Sequence, residues 1–139
     1  MSKTVIDASA LLRFVDGETG AERVEDLLNR ARQETVELLM SSINWGEVVY
    51  SVLKAHGPDN GRALLPKLRN LPISIVPADA SGAETAAKFK HAYRIPYADS
   101  FAGSLAVNEN ASLLTADHDF KVLPAGVLKI DFLPVKSKP

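Results

Sequence analysis

The sequence predicts an α/β domain with a central parallel β-sheet of four to five strands, flanked by α-helices on both faces. Short apolar runs bounded by turn residues alternate with longer stretches whose apolar residues recur at three- and four-residue spacing. Strands alternating with helices build a parallel sheet through crossovers that cover both its faces, and such crossovers are right-handed. The chain has 139 residues, the size of one domain and enough to bury a core without covalent staples. A composition of 46% hydrophobic and 24% charged residues is that of an ordinary globular protein.

The elements follow in order. Residues 3–7 (KTVID) form a first strand around Val5 and Ile6, and residues 8–16 (ASALLRFVD) a short helix. Gly17 and Gly20 punctuate the chain before residues 21–32, where Val24, Leu27, Leu28 and Ala31 mark one face of a second helix. Residues 35–40 (TVELLM) form a second strand. A third helix over 43–55 places Val48, Val49, Val52 and Leu53 on one side, and His56-Gly57-Pro58 stops it. Residues 59–70 are helical, with a kink or restart expected at Pro66, because proline in a helix interior costs about 3 kcal/mol. Residues 72–76 (PISIV) form a third strand, and Ser81-Gly-Ala-Glu84 has the capping-box pattern for a helix reaching His91 or Tyr93. Pro96 suits the first turn of the next helix, which runs to about Glu109. Its Ala98, Ala102, Gly103 and Ala106 predict close packing on several sides. Residues 112–115 form a fourth strand and 128–131 a fifth. The domain is read as residues 1–134, followed by a frayed basic tail over 135–139.

Composition narrows the chemistry. There is no cysteine, which removes disulfides, thiol catalysis and cysteine-based zinc sites. No leader-like apolar stretch opens the sequence and no run approaches the roughly 18 apolar residues of a membrane span, so a cytoplasmic location with no membrane partner is expected. The formal net charge of −1 neither demands nor forbids a nucleic-acid partner. Neither a phosphate-cradling glycine loop nor a serine-hydrolase elbow occurs.

Four acids are placed alike. Asp7 ends the first strand, and Asp117 follows the fourth by two residues. Glu47 lies near the start of the third helix, and Asp99 in the first turn of the helix opened by Pro96. In a parallel sheet all four fall on the rim beyond the carboxyl ends of the strands, where sites form. Each has a simpler role: Asp7 as a helix cap, Asn44-x-x-Glu47 as a capping box, Asp99 as a partner for the helix dipole, Asp117 as an Asx-turn. Taken singly, the simpler role has the better odds. Together they would repel, by about 4 kcal/mol per pair at 4 Å and an effective ε near 20. A cation between them relieves that, and acids without a histidine at ligand spacing favour Mg²⁺ or Mn²⁺ over zinc.

Four stretches, Val5–Ser9 (VIDAS), 42–47 (SINWGE), 95–102 (IPYADSFA) and 113–120 (LLTADHDF), resemble the PIN-domain ribonucleases, and especially the VapC-type toxins of toxin–antitoxin pairs. The resemblance spans nearly the whole chain, in order and at the right intervals. It implies an endoribonuclease that uses Mg²⁺ or Mn²⁺ and leaves a 3′-hydroxyl and a 5′-phosphate. It implies Asp7 and Asp99 as principal ligands, Glu47 and Asp117 as the rest of an acidic quartet, Asp119 as an assisting acid, and Ser9 and Thr115 as supporting hydroxyls. It also implies an RNA substrate, a homodimer and a VapB-type antitoxin. Asn-Glu-Asn-Ala before the fourth strand departs from the glycine turn of many relatives. Arg13, Lys54, Lys88, Lys90 and Arg94 are candidates for an RNA path, with a solvated surface as the equal alternative. The rivals are a phosphorylatable receiver-type signalling domain and a non-catalytic RNA-binding relative.

Overall fold

A computed structural model describes residues 1–136. The expected tail therefore lies partly outside the described residues, from 137 onward. In order, the elements are β1 (Ser2–Ile6), α1 (Ala8–Val15), α2 (Ala21–Arg32), β2 (Val36–Ser41) and α3 (Ser42–Arg69). They continue as β3 (Ser74–Val76), α4 (Ala80–Tyr93), α5 (Tyr97–Asn108), β4 (Ser112–Thr115), a 3-10 turn (His118–Val122) and β5 (Ile130–Phe132).

The five strands form one sheet in the order β3-β2-β1-β4-β5, and every pair is parallel. The α/β class with helices on both faces is as expected. Alternation along the central strands divides the interior. Ile6, Leu38, Met40 and Leu114 face α1, α2 and α3. Val5, Leu39 and Leu113 face α4, α5 and Phe120. The chain builds outward from β1 in one direction through β2 and β3, then returns to add β4 and β5 on the other side. The order thus reverses between β1 and β4, the crevice where open parallel sheets bind ligands. A receiver domain would have the order 2-1-3-4-5, so the strand order sets that rival aside.

Local departures from expectation have physical reasons. The third helix breaks at Gly57, whose φ of 79° is left-handed, and Pro58 restarts it. No break occurs at Pro66. That residue and Arg62, whose carbonyl it leaves unbonded, are both exposed, so water can take the missing partner's place. The cap of α4 is Asp79, not Ser81: Asp79 Oδ1 accepts the Gly82 N–H at 2.8 Å, and the helix starts a residue before the predicted box. Asn110 takes φ 52°, so the turn before β4 is left-handed without a glycine. The small residues of α5 do pack tightly, and a Cβ on Gly103 would lie 2.6 Å from Phe89 Cε1.

Candidate active site

Asp7 leaves β1 and caps α1. Its backbone is extended, as a cap requires, and Oδ1 accepts the Ala10 N–H at 2.9 Å. The simpler reading of Asp7 is therefore correct as far as it goes. A cap would be satisfied by that bond alone, yet Ser9 Oγ donates to Oδ1 at 2.8 Å and Thr115 Oγ1 donates to Oδ2 at 2.5 Å. Ser9 in turn accepts the Ala116 N–H, and Thr115 accepts the Asp117 N–H, both at 2.9 Å. The two hydroxyls lie 3.2 Å apart and tie the ends of β1 and β4 together. Asp7 is 3% exposed. Burial, the largest influence, raises its pKa to about 6 against the lowering effect of those bonds.

Asp117 also has its simpler role. Its Oδ1 accepts the Asp119 N–H at 2.9 Å and caps the 3-10 turn. That turn, which the sequence reading did not anticipate, brings Asp119 round to the same side. Oxygens of Asp99, Asp117 and Asp119 lie within 4.8 Å of one another. Asp99 is in the first turn of α5. Its Oδ2 is buried without any hydrogen-bond partner. Desolvation first, and then the neighbouring Asp117, push its pKa up to about 8, with Asp7 and Glu47 adding to the rise. A carboxylate in the first turn suits the helix dipole, but a buried oxygen that accepts no hydrogen bond caps nothing.

Glu47 is held differently. Ser41, not Asn44, caps α3, accepting the Ile43 N–H at 3.2 Å. Asn44 sits inside the helix and is 1% exposed. Its Nδ2 donates both to Glu47 Oε1 at 2.9 Å and to the Ala98 carbonyl at 3.1 Å. Asn44 therefore links Glu47 to the residue preceding Asp99. Sequence reading missed this role because Asn-x-x-Glu is also the signature of a cap. Glu47 itself is exposed.

The weaker candidates separate. Arg13 is buried, and its Nη1 donates to the carbonyls of Thr19 at 2.7 Å and Pro134 at 2.8 Å. It ties the C-terminal segment to the α1–α2 loop and offers nothing to a polyanion. Lys136 adds an ion pair to Glu18 at 2.6 Å over the same loop. Lys54 is exposed, with its ammonium 6.0 Å from the Tyr50 ring centroid. His118 turns from the acids to stack on Phe132, with Nε2 3.2 Å from the Leu133 carbonyl.

The family model of the PIN domain matches residues 4–126. The chain belongs to the PIN-domain family. Solved structures share its fold across nearly the full length. VapBC2 from Rickettsia felis, bound to a DNA fragment from their promoter, has a TM-score of 0.71 at 18% identity, covering 95% of this chain and 99% of that one. DNA-bound VapBC from Salmonella typhimurium has a TM-score of 0.72 at 14% identity, covering 95% and 98%. Mycobacterium tuberculosis VapC20, a sarcin-ricin loop cleaving toxin, has a TM-score of 0.66 at 14% identity, covering 96% and 99%. No curated protein matches the sequence. The acids that the structure brings within 4.8 Å of one another are Asp99, Asp117 and Asp119; Asp7 and Glu47 lie outside that tight group. No helix among the described residues is long and apolar enough to cross a membrane.

Proposed function

We propose that this PIN domain is an endoribonuclease dependent on Mg²⁺ or Mn²⁺, the toxin of a type II toxin–antitoxin pair. The observation that carries the reading is the buried, unpartnered Oδ2 of Asp99 beside the carboxylates of Asp117 and Asp119. The donor set fits a hard divalent cation, since every donor is a carboxylate oxygen. Asp7 and Asp99 would be its principal ligands, with Asp117 and Glu47 completing the site directly or through water. Asp119 would join them as a further ligand, a reading supported by its carboxylate lying within 4.8 Å of those of Asp99 and Asp117. When bound, such an ion lowers the pKa of coordinated water and stabilises charge on phosphoryl oxygens.

The chain's own residues prepare that chemistry. Thr115 and Ser9 fix both oxygens of Asp7, the Asp119 N–H fixes Asp117, and Asn44 fixes Glu47. Asp99 holds a proton near neutrality, and releasing it completes the negative pocket. The antitoxin part of the reading is supported by structural neighbours that are VapBC complexes. It is also supported by an apolar cavity of about 260 Å³ among Leu11, Met40, Trp45, Leu68 and Ile75. A homodimer accords with exposed Tyr50 and Ile43 on α3.

The test is cleavage of labelled RNA by the purified chain, with and without Mg²⁺ or Mn²⁺, beside Asp7→Asn. Metal-dependent cleavage that the variant loses supports the reading. Binding without any cleavage favours the non-catalytic relative, and cleavage equal in the variant points to a contaminant.

A further inference from the structure

We propose that the corner between α4 and α5 is a subsite for single-stranded RNA, with the Tyr97 ring stacking on a base and Arg94 and His91 meeting the adjoining phosphate. The choice of RNA rests on the ribonuclease reading above; the surface itself stands on separate observations.

The chain has no acid between Glu84 and Asp99, and that stretch carries Lys88, Lys90, His91 and Arg94. Six ion pairs join described residues, and none of them engages these four. In a protein of net charge −1, Lys88, Lys90 and Arg94 make this a local cationic surface that attracts a polyanion. Lys90, His91, Arg94 and Tyr97 line an open cleft of about 550 Å³, within the roughly 300–1,000 Å³ of small-ligand sites.

The corner is preformed. Arg94 takes φ 58° to end α4, and Lys90 Nζ donates to the Ile95 carbonyl at 3.0 Å. Tyr97 is 48% exposed, yet its ring stands edge-on to buried Phe101, with centroids 5.0 Å apart and planes at 73°. A half-exposed aromatic braced by a buried one offers a platform of the kind on which single-stranded bases stack. Tyr97 and Asp99 are two residues apart in the first turn of α5, roughly 200° around the helix and 3 Å along it. A strand crossing the N-terminal end of α5 meets the ring on one side and the acids on the other.

The test is fluorescence anisotropy of a short labelled oligoadenylate with the full chain in EDTA, so that binding is read apart from turnover. Tyr97→Leu should weaken binding about tenfold or more, while Tyr97→Phe stays within about twofold of wild type. Arg94→Gln should lower the slope of log affinity against log salt by about 0.7. Thermal melts of each variant exclude unfolding. Unchanged binding by a folded Tyr97→Leu overturns the proposal. Equal binding of the matching DNA overturns the choice of RNA. A Tyr97→Leu chain that changes oligomeric state but still binds assigns the face to a second copy instead. If RNA cleavage fails while these binding effects hold, the ribonuclease reading falls and the subsite stands.

Discussion

Replacing Asp99 by asparagine should make the metal-free protein more stable while abolishing metal-dependent cleavage. The oxygens of Asp99, Asp117 and Asp119 lie within 4.8 Å, where two like charges repel by about 3.5 kcal/mol at an effective ε of 20. Asp99 and Asp117 are only half-buried and Asp119 is exposed, so solvent screening reduces the gain to about 1–2 kcal/mol. At roughly 2.1 cal/mol/K per residue this corresponds to a rise in Tm of about 3–7 °C. The sign depends on pH. Burial and Asp117 raise the folded pKa of Asp99 to about 8, against about 4 in the unfolded chain. The folded form holds the proton more tightly, so wild-type stability falls as pH rises between those two values. The advantage of the asparagine should be small at about pH 5 and largest at about pH 9. Calorimetry in EDTA at both pH values checks it. Added Mg²⁺ should raise the wild-type Tm and move the variant much less. An Asp99→Asn protein that melts below wild type at the higher pH, or differs equally at both, would refute the reasoning.

Three other substitutions probe the supports. Thr115→Val keeps the shape but strands Asp7 Oδ2 and the Asp117 N–H; urea unfolding should show a loss of about 2–4 kcal/mol with an unchanged m-value. Asn44→Ala releases Glu47 from Ala98; kcat on RNA should drop about tenfold, some 1.4 kcal/mol, with little change in KM. Gly103→Ala would bring a Cβ to 2.6 Å from Phe89 Cε1; the overpacking should cost about 1–3 kcal/mol in a thermal melt, whereas better helix propensity alone would raise Tm.

Asp7 and Asp117 could be read from sequence because each follows a short apolar strand, and direction in a parallel sheet then dictates the rim. The break at Gly57-Pro58 was equally plain, since only that pair both admits a positive φ and restarts a helix. Asn44 and Ser81 misled for one reason. A capping signature names residue types and spacing but not where the preceding segment ends, and in both places Ser41 or Asp79 reached the first amides sooner. Pro66 misled because the cost of proline depends on whether the abandoned carbonyl meets solvent. Arg13 looked like a free cation because its acceptors lie in the α1–α2 loop and 121 residues away. The strand order was unreadable for a similar reason: β1 must choose β4 across most of the chain.

That choice has a consequence for timing. Thr115 and Asp7 are 108 residues apart, and their hydroxyl–carboxylate bond forms only when β4 docks beside β1. Contacts of such wide separation close late, after local helices and hairpins have settled. The surroundings of Asp7 are therefore complete only once the last parallel strands have joined the sheet.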